Sequence, residues 1–549
     1  MKVSSLNYIN PSFKSAHVSI NVVSDTHGEL LLANSALEEM KKRNRDIFCR
    51  NEKGNANVFA VCGDWFMDGG KKGYVSNPQK PLAMFQLEIL NEFFNQVKTI
   101  ADNTTMLFTP GNHEFDGGVP LLDEILSGIN AEVIASNLDI EHSQGFSKSI
   151  RGNKIFNEKT VEVEDDKNPD LKHKILFLGV MPVNLRMYQK NLQGISLIDL
   201  NDKPSAFVDK EDYKETLKFC KERIAEFKKK NPNGIVIFMS HTGAEFSDNL
   251  AKESQVDIAF DAHEHKTKTR IVNKTPIIPL SQNFLRVANA KINIDDDGKI
   301  DVISLMNFNP SKNTKKGPLF RLYNELLSED IKKKYTIKSD NPEIGVLDVK
   351  GIREGNSFLA NFVTDSVLSE LKKIDPSIDI FALNSSAIRH PLQISNEPSI
   401  SSFDVLNVLA GIKEDDGKIM TTEITGAQLV FWVIDNLMFN KIKPQRNPII
   451  HYSGLIIDKQ EILKAAEAGR SLDEIAKYII SADTNLPVET DKTYKIANVE
   501  KYFNKSQTTE IKEQKKHSEY LGCSVQELFR RHFDTQRDNL YAKCDVRIK

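Results

Sequence analysis

The sequence predicts an α/β protein with more than one domain. Its 549 residues are too many for one hydrophobic core, and at about 150 residues per domain they suggest about two to four domains. From residue 17 to about residue 310, short apolar runs rich in Val, Ile and Phe alternate with segments of helical periodicity. Runs of this length are typical of buried strands, and their alternation with helices is typical of α/β folds.

Six of the apolar runs support this prediction. They are HVSINVVSD (17–25), NVFAVCGD (57–64), MLFTPGN (106–112), KILFLGV (174–180), GIVIFMSH (234–241) and VDIAFDAHEH (256–265). The stretch KPLAMFQLEILNEFFNQVK (80–98) has helical spacing and lies between two of them. Every run except KILFLGV places Asp, Asn or His at its carboxyl end. Ligands of α/β sheets bind outside the carboxyl ends of the strands, so this polar edge is the predicted functional site.

The composition changes near residue 312 and divides the chain into three predicted parts. Residues 17–312 form the first domain, and residues 313–344 form a linker with an amphipathic helix in LFRLYNELLSEDIKKKY. Residues 345–549 form a second domain, in which FLANFVTDSVLSELKKI is helical and DIFALNSS is a strand. The last 45 residues are expected to form a helical tail.

Composition also excludes several classes of protein. With 73 basic and 76 acidic residues the net charge is −3, so no broad basic surface for wrapping nucleic acid is expected. The five cysteines form no CxxC pair, which argues against a disulfide framework or a thiolate metal site. No stretch approaches the ~20 apolar residues of a membrane span, and the N-terminus lacks the apolar core of a secretory leader. A cytoplasmic protein is expected, with export by a leaderless route as the alternative.

The polar residues at the strand ends could bind metal together. They are Asp25, His27, Asp64, Asn112, His113, Asp116, His241, His263 and His265. Taken singly, each has a simpler explanation as a turn residue, a helix cap or a satisfied polar side chain. Five clusters of oxygen and imidazole donors at one sheet edge, however, can supply ligands for two divalent cations.

The order of these motifs resembles that of the calcineurin-like metallophosphoesterases, whose pattern is DxH, GD, GNH, H and GHxH. DTH, GD, GNHE, SH and DAHEH match it, with Asp261 at the usual glycine position. The form GNHEFD is similar to the 5′-nucleotidase family, and the resemblance covers nearly the whole chain apart from its tail. It implies a four-layer α-β-β-α sandwich for the first domain and an α/β 5′-nucleotidase-type substrate domain for the second.

The same resemblance implies a role for each polar residue at the sheet edge. Asp25, His27 and His265 would hold one metal, Asn112, His241 and His263 would hold the other, and Asp64 would bridge the two. Oxygen and imidazole ligands fit Zn, Mn, Co, Fe or Ni. Two carboxylates against about +4 from two divalent ions leave about +2, which complements a phosphate dianion that a metal-bound hydroxide would attack.

Two further residues are expected to take part in catalysis. The resemblance gives His113 the role of stabilising or protonating the leaving alkoxide. Asp116 lies three residues later, a spacing at which side chains meet in a helical turn, so it can hold one ring nitrogen of His113. The alternative for Asp116 is a helix cap or a surface turn.

The second domain has a weaker substrate signature. NSSAIR resembles the NGGGIR of the 5′-nucleotidase C-terminal domain, although two serines and an alanine replace the glycines. The resemblance implies substrate binding by Arg353, Asn384 and Arg389. The family stacks its base between two aromatic rings, but Gly411 and Ile412 occupy the region of the first ring. Tyr502 and Phe503 are the candidates for the second ring, and weak base recognition is expected.

The predicted function is a dimetal phosphohydrolase that releases phosphate from 5′-nucleotides or related phosphate esters. The enzymatic alternatives are a 2′,3′-cyclic nucleotide phosphodiesterase, a nucleotide-sugar pyrophosphatase and a phosphatase of a non-nucleotide ester. An alternative of another class is a catalytically idle binding protein on the same fold. The base, the metal and the oligomeric state stay open.

Overall fold

The chain divides into two compact units, Met1–Leu327 and Ser328–Lys549, and each is described by itself. The structure is a computed structural model. It describes residues 14–27, 30–67, 81–168, 170–188, 192–201, 209–266, 268–281, 286–295, 300–308, 317–326, 332–341, 343–349, 351–355, 357–394, 400–409, 411–412, 417–442, 449–499 and 517–548. The division between the units falls inside the segment 313–344, and the predicted limits of the domains and the linker stay a prediction.

The first unit contains two large mixed β-sheets. Its strands are β1 (Lys14–Val23), β2 (Asn55–Cys62), β3 (Thr104–Thr109), β4 (Glu132–Ile134), β5 (Ile155–Phe156), β6 (Glu158–Glu164), β7 (Lys172–Val180), β8 (Ile235–Ser240), β9 (Ile258–Asp261), β10 (Arg270–Val272), β11 (Thr275–Pro279), β12 (Val287–Asp295) and β13 (Ile300–Phe308). All six apolar runs are strands, as the sequence predicts.

Both sheets are parallel at their centres. The first sheet has the order β13-β12-β1-β2-β3-β4-β5, with β1 to β5 parallel and β12 antiparallel to both of its neighbours. The second has the order β10-β11-β9-β8-β7-β6, with β11, β9, β8 and β7 parallel. The carboxyl ends of β1, β2 and β3 therefore share one edge of the first sheet, and those of β8 and β9 share one edge of the second.

The two sheets pack face to face through alternate residues of their strands. Val18, Ile20 and Val22 of β1 enter the same apolar cluster as Phe177 of β7 and Ile237 of β8. Because successive side chains of a strand point to opposite faces, the residues between them face the helices. The shared cluster forms the centre of the sandwich.

Helices cover the outer faces of both sheets. They are α1 (Leu30–Lys42), α2 (Asn44–Ile47), α3 (Leu82–Ile100), α4 (Val119–Gly128), α5 (Ser147–Arg151), α6 (Leu185–Tyr188), α7 (Lys214–Lys230), α8 (Ala244–Glu253) and α9 (Pro318–Leu326). Phe93 of α3 contacts Phe59 of β2, with ring centroids 5.5 Å apart, and Phe246 of α8 stacks on Phe238 of β8 at 5.7 Å. The layers are therefore α-β-β-α, as predicted.

The second unit is also α/β. Its strands are β14 (Lys334–Tyr335), β15 (Ile337–Ser339), β16 (Val346–Leu347), β17 (Ile380–Asn384), β18 (Leu392–Gln393), β19 (Ile400–Ser401), β20 (Lys418–Thr425), β21 (Ile450–Ser453), β22 (Leu455–Ile457), β23 (Ile479–Ser481), β24 (Thr493–Val499), β25 (Glu519–Ser524) and β26 (Leu540–Ala542). Its helices are α10 (Phe358–Ile374), α11 (Ser402–Val408), α12 (Gly426–Ile442), α13 (Lys459–Glu467), α14 (Leu472–Ala476) and α15 (Val525–Gln536).

The main sheet of the second unit has the order β21-β17-β24-β20-β25 and an apolar cluster on each face. Phe381 and Leu383 of β17 enter one cluster, whereas Ile380 and Ala382 enter the other. The strand β17, whose first four residues are apolar, is thereby buried on both sides. The described helices include none that is long and apolar enough to span a membrane.

Two predicted helical segments differ in the structure. In the linker, α9 ends at Leu326, and β14 occupies the last two residues of the predicted helix. In the tail, Glu519–Ser524 pair with β20 as a strand before α15 begins. The tail strand satisfies backbone groups at the edge of β20, a pairing between distant residues that local periodicity does not reveal.

Candidate functional site

Buried polar residues gather where β1, β2, β3, β8 and β9 end, as the sequence predicts. Asp25 follows β1, Asp64 follows β2, Asn112 follows β3, His241 follows β8, and His263 follows β9. All but His263 have less than a tenth of their surface exposed. Buried polar side chains are unfavourable unless they form hydrogen bonds, and buried charges are unfavourable unless they are paired. These residues must therefore find such partners within the site.

The first cluster joins Asp25, His27 and His265. One ligand atom from each lies within 4.8 Å of the others, a spacing that a metal ion could bridge. His265 Nε2 is 3.1 Å from Asp25 Oδ1, and the rings of His27 and His265 have centroids 5.1 Å apart. The structure thus brings together the three residues to which the resemblance assigns one metal.

The second cluster joins Asp64, His241 and His263 within the same 4.8 Å limit. His241 Nε2 lies 3.1 Å from Asp64 Oδ2, and His27 Nε2 of the first cluster lies 3.5 Å from the same oxygen. The Asp64 carboxylate is therefore within reach of both clusters. Asn112 is buried, and the backbone N–H of the following residue, His113, donates to Asp64 Oδ1 at 2.9 Å.

The chemistry of His241 tests whether these residues fit a cation. Its Nδ1 lies 2.7 Å from the carbonyl oxygen of Cys62, to which it can donate. Its Nε2 is buried and, among the described residues, makes no hydrogen bond, although it faces the Asp64 carboxylate. Burial lowers the pKa of His241, but Asp64 and Asp25 outweigh burial and raise it to about 10. A field that holds a proton on Nε2 would equally favour a metal cation there, so the residues fit one.

Two further imidazoles have the protonation state that metal ligands need. Burial lowers the pKa of His27 to about 4, and burial together with the charge of His241 lowers the pKa of His263 to about 4. Both rings are therefore neutral near neutral pH, with a nitrogen lone pair available for coordination.

The backbone at this site is strained. Asp25, His27, Asp64, His263 and His265 have φ between 49° and 74°, in the left-handed region that non-glycine residues rarely adopt. Such conformations cost about 1 to 3 kcal/mol each and persist where the surrounding structure imposes them. Five of the seven predicted metal ligands share this feature, which is typical of functional sites.

Glu114 is a site residue that the sequence analysis missed. Its Oε2 accepts the backbone N–H groups of Asp64 and Gly111, and its Oε1 accepts those of Trp65 and Phe66. Burial and the Asp64 carboxylate raise the pKa of Glu114 to about 7, so the four donors are needed to support its charge. The letter E in GNHE was visible in the sequence, but its partners at residues 64 to 66 are distant along the chain.

Gly111 packs against the same carboxylate region. A Cβ on Gly111 would overlap Asp64 Oδ1 and would lie 2.7 Å from His241 Nε2. Only glycine leaves room for both side chains at this position.

His113 and Asp116 form the predicted contact. His113 Nδ1 lies 2.8 Å from Asp116 Oδ2, across a short 3₁₀ turn, His113–Phe115. The Asp116 side chain is almost fully buried, whereas His113 keeps 18% of its side chain exposed. The His113 ring is 5.3 Å from the His27 ring, so it stands beside the first cluster and can reach a molecule bound there.

Asp261, a departure from the family pattern, contacts residues outside both clusters. Its Oδ2 accepts Arg270 Nη2 at 3.0 Å, and its Oδ1 accepts Ser247 Oγ at 3.1 Å. Its carboxylate is thus compensated without entering the ligand sets.

In the second unit, Arg353 and Arg389 lie close enough to affect each other. Burial, and then the charge of Arg389, lower the pKa of Arg353 to about 10. Two neighbouring guanidinium groups make this part of the unit favourable for an anion. Asn384 Oδ1 accepts the backbone N–H of Ser386 at 2.9 Å, so this oxygen stabilises the NSSAIR turn.

Three side chains hold the backbone around Arg353. The carbonyl oxygen of Ile352 accepts His451 Nε2 at 2.8 Å, that of Arg353 accepts Asn440 Nδ2 at 3.1 Å, and that of Glu354 accepts Lys459 Nζ at 3.0 Å. These three hydrogen bonds fix the backbone position of Arg353.

Gly411 and Ile412 occupy the region of the first aromatic ring, and neither can stack on a base. A Cβ on Gly411 would overlap the carbonyl oxygen of Ser386, and Ile412 is fully buried in an apolar cluster of the second unit. Tyr502 and Phe503, the candidates for the second ring, lie outside the described residues.

Comparison with known proteins agrees with this geometry. Residues 18–267 match the family model described as calcineurin-like phosphoesterase. The first unit carries a calcineurin-like phosphoesterase domain. The 5′-nucleotidase precursor of Thermus thermophilus is similar in structure over 97% of this chain and 99% of its own, with a TM-score of 0.63 and 14% identity.

The sulfate thiohydrolase SoxB of Thermus thermophilus is similar over 99% of this chain and 98% of its own, with a TM-score of 0.56 and 12% identity. No curated protein matches the chain significantly in sequence. The structural similarities establish a two-unit fold of the 5′-nucleotidase type, and the phosphoesterase domain supports phosphoester hydrolysis as the class of reaction. A shared fold does not fix the substrate, which has to be argued from the residues.

We expect Glu114→Gln to destabilise the phosphoesterase domain by about 2 to 4 kcal/mol, because the new NH₂ group would face two backbone N–H donors and leave them unsatisfied. Denaturant unfolding of the full chain measures the change. Glu124→Gln, at an exposed position of α4, is the control and should change stability little. Equal stability of the two variants would contradict the role given to Glu114.

Proposed function

We propose that the chain is a dimetal phosphohydrolase that releases phosphate from 5′-nucleotides or related phosphate esters. The observation that carries the proposal is the position of the Asp64 carboxylate, which lies within reach of both ligand clusters. Paired sites that share one carboxylate suit two ions at the ~3.5 to 4 Å separation of two-metal hydrolases.

In this proposal the predicted ligands keep the roles that the resemblance implies. Asp25, His27 and His265 would hold one ion, Asn112, His241 and His263 would hold the other, and Asp64 would serve both. Two divalent cations held there would supply Lewis acidity to the phosphoryl group and would activate water for its hydrolysis. Oxygen and imidazole ligands admit Zn, Mn, Co, Fe or Ni.

His113 acts on the leaving group. Nδ1 faces Asp116, so the proposal assigns the contact with the substrate to Nε2. The Asp116 carboxylate stabilises the protonated ring, and that ring can give its Nε2 proton to the departing alkoxide. The alternative for Asp116, a cap or a surface turn, is disfavoured by its burial and by its contact with the ring.

Arg353, Asn384 and Arg389 bind the substrate through its polar oxygens. The mutual proximity of the two arginines supports anion binding, and guanidinium groups bind phosphate or ribose oxygens well. The similarity to a 5′-nucleotidase favours a nucleotide. The tight packing at Gly411 favours a second candidate, a phosphatase of an ester without a stacked base.

Asp64→Ala should abolish activity and reduce bound metal from about two ions per chain, because one bridging carboxylate serves both ions. Elemental analysis and phosphate release measure the two effects. Asp165→Asn is the control, since Asp165 is a buried carboxylate 3.0 Å from His173 and outside the clusters. Full activity of the wild type after exhaustive chelation would falsify the proposal.

His113→Asn should keep the metal content and lower kcat by about 10² to 10⁴, the usual contribution of a positioned acid or base. The loss of kcat should be smaller with an aryl phosphate than with an alkyl ester, because the aryl leaving group needs less protonation. His142→Asn is a matched control, because His142 also contacts an aspartate three residues away but is exposed. Equal losses for good and poor leaving groups would rule out the role of His113.

Purine and pyrimidine 5′-monophosphates should have similar kcat/KM, because the described residues provide no ring at Gly411. If Tyr502 or Phe503 stacks on the base, its change to Ala should cost about 0.5 to 1.5 kcal/mol beyond lost buried area, and only with nucleotides. Phosphate release from both monophosphates and from a small phosphate tests this. A strong base preference that survives both substitutions would contradict it.

A further inference from the structure

The loop that carries His263 and His265 follows β9 directly and has a left-handed backbone at both histidines, with φ of 74° and 53°. Such a loop needs external restraint to keep two side chains aimed at the ligand clusters. Asp25 Oδ2 accepts the backbone N–H of His263 at 3.3 Å, and two carboxylates of the segment itself, Asp261 and Glu264, add further restraints.

Asp261 is the first restraint. It is the last residue of β9 and is buried, and its two oxygens accept Ser247 Oγ of α8 and Arg270 Nη2 of β10. A buried carboxylate that lost these partners would be strongly unfavourable, so the side chain has little freedom to turn. The backbone of β9 is thereby fixed two residues before His263.

Arg270 extends this restraint along α8. Its Nε donates to Asp248 Oδ1 at 2.6 Å, and its Nη2 also donates to the carbonyl oxygen of Ala244 at 3.2 Å. The guanidinium group therefore joins the end of β9 to two turns of α8. A planar group with several donors holds this geometry more rigidly than a lysine could.

Glu264 is the second restraint. Its Oε2 accepts the backbone N–H of Ala244, the first residue of α8, at 3.1 Å. The carboxylate thus caps the helix from outside, where negative charge is favourable. Lys266 contacts the same oxygen at 2.6 Å.

We propose that Asp261 is a positioning residue that, through Arg270 and Ser247, holds the His263–His265 loop against α8. In this way it increases the affinity of the two histidines for metal. The inference rests on the proposed function, because it takes the two histidines as metal ligands. A loop held in its ligating geometry before the ion arrives has less conformational freedom to lose on binding. Asp261 touches neither the ion nor the substrate in this role.

The test compares two aspartates at opposite ends of the same strand. Asp257 immediately precedes β9 and accepts Lys228 Nζ at 2.9 Å and the backbone N–H of Val236 at 2.7 Å. It therefore has a similar ion pair but lies away from the histidines. Metal dissociation constants are measured for the stripped full chain by competition with a chromophoric chelator, with Zn²⁺ and with Mn²⁺, together with the thermal midpoint.

Asp261→Asn should raise the dissociation constant of at least one of the two ions about 10-fold. This is the lower end of the usual effect of groups that orient metal ligands. Asp257→Asn should lower the thermal midpoint but leave both dissociation constants unchanged. Arg270→Ala should resemble Asp261→Asn, and the double variant should add little, because both residues act through one contact.

Wild-type affinity for both ions in Asp261→Asn would overturn the inference, as would an equal loss in Asp257→Asn. Should Asp261→Asn fail to fold, Arg270→Ala decides by the same criterion. Wild-type protein that binds no metal would instead overturn the proposed function, so the two failures are distinguishable.

Discussion

Two buried carboxylates, Asp25 and Asp64, impose the constraint on which the rest of the site depends. Both face His241, whose Nε2 lies 3.8 Å from Asp25 Oδ1 and 3.1 Å from Asp64 Oδ2. Negative charges removed from water in one place are unfavourable unless positive charge accompanies them. The field they create raises the pKa of His241 against the effect of burial, and the same field would attract divalent cations. The site is thus built for positive charge at its centre.

The sandwich supplies the rigidity that this arrangement needs. Residues with a left-handed backbone follow three strands, β1, β2 and β9, whose side chains enter the apolar core between the sheets. The packed sheets therefore hold the strained conformations in place. Glu114 adds a second support, since one carboxylate binds the backbone N–H groups on both sides of the Asp64 turn. Ligand positions are therefore determined by main-chain packing as well as by side-chain contacts.

The sequence predicted what depends on local spacing and on order along the chain. The six strands follow from periodicity and the His113–Asp116 contact from a three-residue spacing, whereas the sandwich was implied by the resemblance of the motifs to a known family. Glu114 and Asp261 were not predicted in this way, because their partners are distant: Glu114 binds Asp64, and Asp261 binds Arg270 on another strand. The strand Glu519–Ser524 was missed for the same reason, since its stability comes from pairing with β20.

The two units differ in how closely they follow the motifs of the families that they resemble. In the first, Asp261 departs from the motif, and its charge is compensated by Arg270. In the second, Gly411 packs against the NSSAIR turn, and a larger residue would overlap it. Arg353 and Arg389 nevertheless lie close enough for the charge of Arg389 to lower the pKa of Arg353, so positive charge is concentrated in this part of the unit. On the proposed function, recognition therefore rests on charged oxygens common to many phosphate esters more than on a particular base.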